Sequence, residues 1–270
     1  LSPQAANETT TNEHRDLDQL IKTSQREHTA RLTLARSPLN VLNIAMLTEV
    51  NAYLETLIGR TDLCALVIDA EGKDFSAGVD IPEHRADTVE SMLETFHHTF
   101  RLLHQLPMPT VCAIHGGCYG GAMELAIFCD ITLAADELRI GVPEITLGVF
   151  PPLAVAHLAH IVGIKKAAEL IYTGAAVDAT EALRLGLVNH VYPAREFAAH
   201  VEQFLTRLTR LSAFSLRQVK AAFRRAVLSD FERALSESES VYLKGLMAGS
   251  DPSEGITAFG EKRKPVWKNQ

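Results

Sequence analysis

Two short apolar runs, CALVIDA (64–70) and TVCAIHG (110–116), restrict the fold more than any other feature of the chain. Each is shorter than a typical helix and shows no apolar–polar alternation, so each reads as a strand buried on both faces. The segments around them have helical spacing. NIAMLTEVNAYLETLIG places Met46, Leu47, Val50, Leu54 and Leu57 on one face, with Gly59 as a C-cap. A second helix is predicted from about Thr88 to Gln105, ended by Pro107 and Pro109. HTARLTLA (28–35) alternates and puts Ala30, Leu32 and Leu34 on one face, and DITLAAD and LRIGVP add two short strands. Beyond Pro151 the pattern is helical, with amphipathic stretches at about 194–211, 216–228 and 231–246. Asp178 with Glu181 resembles a capping box, and DPSEG opens a last helix with Asp251 as N-cap and Pro252 first. The fold class is therefore α/β, a core of alternating strands and helices followed by a helical appendage. A chain of 270 residues, 47% hydrophobic, can bury such a core. Residues 1–16 read as a disordered tail.

Charge and composition exclude several classes. The net charge is −7 and there is no basic stripe with interleaved aromatics, so nucleic acid is not an expected partner. No apolar run approaches the roughly 18 residues of a membrane span, and the polar N-terminal stretch has no signal-peptide core. Cys64, Cys112, Cys118 and Cys129 form no CxxC pair and lie in or beside apolar segments. They read as buried, reduced thiols of a cytoplasmic protein.

Three segments carry chemistry. DFSAGVD (74–80) and HGGCYGGAMELA (115–126) each follow an apolar strand and place glycine where a backbone turns sharply or approaches a ligand. The second feeds a helix starting near Gly121, whose N-terminus presents unpaired N–H groups and partial positive charge. Two such loops at the ends of neighbouring strands could each give one N–H to a single oxygen, forming an oxyanion hole. The third segment, GVPEITLGVFPP (141–152), carries Glu144 after Pro143, 20 residues beyond Glu124. The strands between them can carry the chain out and back. Two glutamates plus an oxyanion hole are a kit for adding water across a C=C conjugated to a carbonyl. Each feature alone has a plain reading: glycine turns often precede helices, and Glu124 could face solvent or pair with arginine. The GGCYGG spacing is neither a P-loop nor a clean GxGxxG.

Taken in order, FSAGVDI, AIHGGCYGGAMELAIFCDI, GVPEITLGVFP, ELIYTGAAVDATEALRLGLVNHV and AFGEKRKPVW resemble the crotonase (enoyl-CoA hydratase/isomerase) superfamily over residues 17–270. The resemblance implies a spiral of ββα units over 17–200 and a helical C-terminal trimerisation region over 201–270, with homotrimers that pair into homohexamers. It implies an acyl-CoA thioester substrate, with no metal and no cofactor beyond the substrate's own coenzyme A. The backbone N–H groups of Val79 and Gly121 match those that bind the thioester oxygen. Glu124 and Glu144 match the catalytic glutamates, the first activating water and the second delivering a proton to Cα. It also implies substrate contacts at Ala77, Asp80, Ile81, His84, Gly120, Phe150, Pro151 and Lys262. Keeping both glutamates points to a hydro-lyase.

The chain departs from ordinary hydratases after the second glutamate. FPPLAVAHLAHIVG replaces a glycine-rich continuation along the acyl pocket, and Ala122 replaces a common glycine. GVDIPEH, ADTVESMLETFHH and LGVFPP look most like the cyclohexa-1,5-diene-1-carbonyl-CoA hydratases of anaerobic aromatic degradation, which implies a cyclic dienoyl-CoA. A generic short-chain enoyl-CoA hydratase, an enoyl-CoA isomerase and a non-catalytic binding protein of the same fold are the alternatives. Among the remaining candidates, His115 reads as a structural hydrogen-bonding group at the strand end and Asp80 as loop-stabilising, with a catalytic role the alternative for each, and His84, His97 and His98 lie in or near the segment that would cover the pocket. His157 and His160 share a helix face with no third metal ligand apparent. Lys262, Arg263 and Lys264 are either CoA-phosphate contacts or a solvated helix end.

Overall fold

The computed structural model describes residues 19–269, so the tail expected at 1–16 lies outside the described residues. The described chain opens with an antiparallel hairpin of β1 (Ile21–Arg26) and β2 (Thr29–Leu34). It continues through α1 (Ile44–Leu57), β3 (Ala65–Ala70), α2 (Val89–Gln105), β4 (Thr110–Ile114), β5 (Gly117–Tyr119), α3 (Gly121–Phe128), β6 (Ile131–Ala135) and β7 (Arg139–Gly141). Next come α4 (Pro152–Val162), α5 (Ile164–Thr173), β8 (Val177–Asp178), α6 (Ala179–Leu185) and β9 (His190–Tyr192). The C-terminal region holds α7 (Phe197–Thr209), α8 (Ala213–Val227), α9 (Phe231–Ser240) and α10 (Asp251–Gly260). The expected α/β core with a helical C-terminal region is thus present.

The larger sheet has the order β1-β2-β3-β4-β6-β9, and every pairing from β2 onward is parallel. Parallel neighbours need crossovers, which α1, α2 and the β5–α3 segment supply. Successive side chains split between two cores. Ala65 and Val67 of β3 join Val111, Ala113 and Leu133 under Val201, Phe204 and Leu205 of α7. Leu66 and Ile68 face the main core with Met46, Leu47 and Phe100 of α1 and α2. Coverage on both faces is why CALVIDA and TVCAIHG carry no alternation.

Several expectations are corrected. β1 had no periodic signal, because Ile21 is its one buried residue and it lies at the sheet edge. The glycine-rich turn contains a strand: β5 pairs in parallel with β7, and β7 pairs antiparallel with β8, in a separate three-stranded sheet. β6 and β7 thus belong to different sheets, and between them they still bring the chain back to the pocket that Glu124 and Glu144 share. The helix expected to run to residue 246 leaves α geometry after Ser240 for a π-helical turn, Val241–Gly245. The N-cap of α10 is Ser250 rather than Asp251. Asp251 instead accepts backbone N–H bonds from Lys268 at 2.7 Å and Asn269 at 2.8 Å. The cap at Asp178 is as expected, its Oδ1 accepting from the Glu181 N–H at 2.9 Å. The four cysteines are buried and unbridged. No described helix is long and apolar enough to cross a membrane.

Candidate active site

The loops after β3 and β4 zip together before they diverge. Ser76 N–H donates to the Gly117 carbonyl at 3.1 Å, and Tyr119 N–H donates to the Ser76 carbonyl at 3.1 Å. On its other side the first loop pairs with Leu42. The Leu42 N–H reaches the Gly78 carbonyl at 2.9 Å, and the Asp80 N–H reaches the Leu42 carbonyl at 3.0 Å. Backbone alternation then turns the Val79 N–H away from Leu42. Gly78 lets the loops meet: its φ is +95°, and a Cβ there would sit 2.6 Å from the Tyr119 carbonyl oxygen and 3.5 Å from the Gly121 nitrogen. Gly121 is the first residue of α3, so its N–H has no intrahelical acceptor. Neither the Val79 nor the Gly121 N–H has an acceptor among the described residues.

All eight residues of α3 are buried, which explains a helix that is apolar all round. Glu124 is its one charged residue and is 2% exposed. Its Oε1 accepts the Ala154 N–H at 2.8 Å, and the Leu153 N–H also bonds to this carboxyl. Both donors belong to the first turn of α4, where Pro152 takes the helix-starting position that suits a residue without an N–H. The FPPLAVAHLAH wall is thus a helix whose open N-terminus holds the glutamate. Burial raises the Glu124 pKa to about 7 against these stabilising amide bonds.

Glu144 lies in the short 3-10 turn Pro143–Leu147 after β7. Its side chain passes directly over Gly120, where φ is +56° and a Cβ would sit 2.6 Å from Glu144 Oε1. The residue is half-buried, but its Oε2 is sealed from solvent and has no hydrogen-bond partner among the described residues. Burial first, and then the charge of Glu124, raises Glu144 to about 8. The pair therefore loses its two protons near neutrality, and between these steps one carboxyl is ionised while the other is protonated.

Ala77, Val79, Ile81, His84, Gly120, Gly121, Glu124, Glu144, Phe150 and Pro151 all line one pocket of about 580 Å³, open mouth included. Asp80 and Lys262 do not. Asp80 serves its loop: its carbonyl accepts the His84 Nδ1–H at 3.0 Å and its carboxylate lies 3.9 Å from Arg36. Lys262 and Lys264 are exposed beyond α10, and Arg263 is tied to Glu254 and Glu261, each at 2.6 Å. Burial lowers the His84 pKa and favours the neutral ring. His115 Nε2 meets the Gly72 carbonyl at 3.1 Å, outside the pocket. His97 is fully buried against Glu239 and His98 faces Glu55, so the segment over the pocket presents Met92, Leu93 and Phe96 instead. The His157 and His160 rings are 6.0 Å apart, and among the described residues no three His, Cys, Asp or Glu side chains gather as a metal site. Sequence reasoning missed the α2 residues, whose helical spacing resembles ordinary core. It also missed Tyr242, which arrives from the π-helical turn with no motif around it.

Comparison with known proteins adds to this geometry. The model of the enoyl-CoA hydratase/isomerase family matches residues 24–270. The cyclohexa-1,5-dienecarbonyl-CoA hydratase of Thauera aromatica is 36% identical over 240 residues, covering 89% of this chain and 93% of that protein. The probable enoyl-CoA hydratase echA8 of Mycobacterium tuberculosis is 37% identical over 245 residues, covering 88% and 94%. Among solved structures, an enoyl-CoA hydratase from Mycobacterium avium subsp. paratuberculosis K-10 superposes with a TM-score of 0.84 at 26% identity, covering 93% of this chain and 99% of that one.

Proposed function

The chain belongs to the enoyl-CoA hydratase/isomerase family, and from that premise we propose that it adds water across a C=C bond conjugated to the thioester carbonyl of an acyl-CoA. The observation that carries this reading is the pair of carboxyls, Glu124 and Glu144, in one pocket beside the unpaired N–H groups of Val79 and Gly121. Those two N–H groups take the thioester oxygen as negative charge develops on it. With one of the coupled carboxyls ionised and the other protonated, Glu124 takes a proton from water and Glu144 gives one to carbon. A C–O and a C–H bond form, the π bond of the C=C and one O–H bond of water break, and the carboxyls end with their protonation exchanged.

The acyl group we assign is a cyclic dienoyl, cyclohexa-1,5-diene-1-carbonyl-CoA. The likeness to the Thauera aromatica protein supports it. So does a wall of Phe96, Phe150, Pro151 and Pro152, stiff groups suited to a flat ring. The test is turnover of crotonyl-CoA, a longer enoyl-CoA and cyclohexa-1,5-diene-1-carbonyl-CoA, read by mass spectrometry. Hydration adds the mass of water. An unchanged mass with a shifted double bond means isomerisation, and a preference for crotonyl-CoA removes the cyclic assignment. Glu124→Gln should lower turnover at least about a hundredfold while retaining CoA-ester binding, and normal rates in this variant would sink the mechanism.

We also infer homotrimers that pair into hexamers. The residues Val219, Phe223 and Val227 of α8 are 66%, 56% and 47% exposed and follow one another at four-residue spacing, an apolar stripe that suits a subunit contact. A single monomeric mass in light scattering at micromolar concentration would refute this.

A further inference from the structure

Tyr242 is the pocket residue that the chemistry above leaves unused. It is 1% exposed and sits in the π-helical turn Val241–Gly245, 98 positions along the chain from Glu144 and 118 from Glu124. Its ring meets Phe150 edge-on, with centroids 5.1 Å apart. A π-helical turn inserts an extra residue into a helix and re-aims the side chains that follow, and such turns cluster at functional sites. Here the turn brings a phenol into the pocket that holds both carboxyls.

The Tyr242 Oη has no hydrogen-bond partner among the described residues, and neither has Glu144 Oε2. A buried polar atom without a partner is unfavourable and calls for an explanation. Two of them on residues lining one pocket describe a seat for a small polar group that accepts from the phenol and donates to the Glu144 carboxyl through Oε2, its carbonyl oxygen while the other oxygen keeps the proton. Burial, then the charges of Glu144 and Glu124, raise the Tyr242 pKa far above the ordinary range. The phenol therefore stays protonated and acts as a donor.

We propose that Tyr242 Oη and Glu144 Oε2 together hold the reacting oxygen, first as water and then as the hydroxyl of the product, so that Tyr242 is a third anchor beside the two glutamates. This rests on the hydratase reading above. Water loses its proton to Glu124 as the C–O bond forms, so its oxygen passes from neutral water to the neutral hydroxyl of the product. The hydrogen bond from Tyr242 engages one lone pair of that oxygen and leaves the other aimed at the carbon, which is worth most in the geometry of attack. The phenol orients the oxygen and transfers no proton of its own.

Tyr242→Phe tests this, because it keeps the ring on Phe150 and removes one oxygen. On the best substrate of the panel, kcat should fall at least about tenfold, the rate equivalent of about 1.4 kcal/mol, with KM nearly unchanged. The affinity for 3-hydroxybutyryl-CoA should fall by a similar factor while that for butyryl-CoA holds. The melting temperature should not drop, since the hydroxyl removed satisfies nothing in the protein. A wild-type kcat with unchanged 3-hydroxybutyryl-CoA binding overturns the proposal and leaves the hydratase reading intact. Equal loss of both ligands, or a lowered melting temperature, also overturns it by showing that the residue acts through packing. Failure of the wild-type enzyme to hydrate any panel member overturns both readings.

Discussion

Replacing Glu144 with glutamine should make the protein more stable in base and leave it nearly unchanged in acid. A carboxyl that titrates at about 8 rather than 4.5 costs about 5 kcal/mol more to ionise, at about 1.4 kcal/mol per tenfold change. Glu144 is only half-buried, and solvent at the pocket mouth screens its charge, which brings the expected effect to about 2–3 kcal/mol. Its folded pKa is raised above the unfolded value, so the folded protein holds this proton more tightly than the unfolded chain. That contribution is complete below pH 4.5 and is lost as pH rises through about 8. Glutamine cannot ionise and escapes the loss. Urea unfolding followed by circular dichroism, at pH 5 and pH 9 and at one fixed protomer concentration, measures the difference. Glu144→Gln should lie within about 1 kcal/mol of the wild type at pH 5 and exceed it by about 2–3 kcal/mol at pH 9. A difference that stays constant across this range would show that Glu144 titrates alike in both states and would refute the argument.

Two further substitutions probe the frame of the site. Gly120→Ala places a Cβ 2.6 Å from Glu144 Oε1 at a φ of +56°. Turnover should fall at least about a hundredfold, with about 1–2 kcal/mol of stability lost to the left-handed backbone, as read by steady-state kinetics and urea midpoint. Lys220→Met removes a buried ammonium that bonds the Met108 carbonyl at 2.9 Å and Asp130 at 2.7 Å. Asp130 keeps partial solvent contact, so the loss should be about 2–3 kcal/mol rather than the full cost of a sealed ion, measured by denaturant unfolding.

What could be read in the chain followed from what each segment buries. β3 and β4 were legible because coverage on both faces forces unbroken apolar runs, whereas β1 buries Ile21 alone and left no pattern. Glu124 was conspicuous as the one charge in a fully buried helix. Ala77, Ile81, His84, Phe150 and Pro151 were placed at the pocket by the ordered motifs, and the structure brings them there. Asp80 was placed by the same motifs, yet its side chain lies beside Arg36; Lys262, expected at coenzyme A phosphates rather than at the acyl group, is exposed beyond α10. The grip of Leu153 and Ala154 on Glu124 was invisible for a different reason: main-chain donors are common to nearly all residue types and leave no mark in a sequence. Tyr242 was hidden by its distance along the chain and by a helical irregularity that no periodicity announces.

That main-chain grip separates two properties that a pocket usually ties together. Pro151 and Pro152 fix where α4 starts, so the amides facing Glu124 cannot slide by a residue without breaking the helix. The side chains of Leu153 and Ala154 take no part in those bonds; both are buried in the main core and stay clear of the pocket. The side chains that do line it, among them Met92, Leu93 and Phe150, come from outside α4 and give Glu124 no hydrogen bond. The contour of the pocket can therefore change at those positions while the main-chain hold on Glu124 stays put.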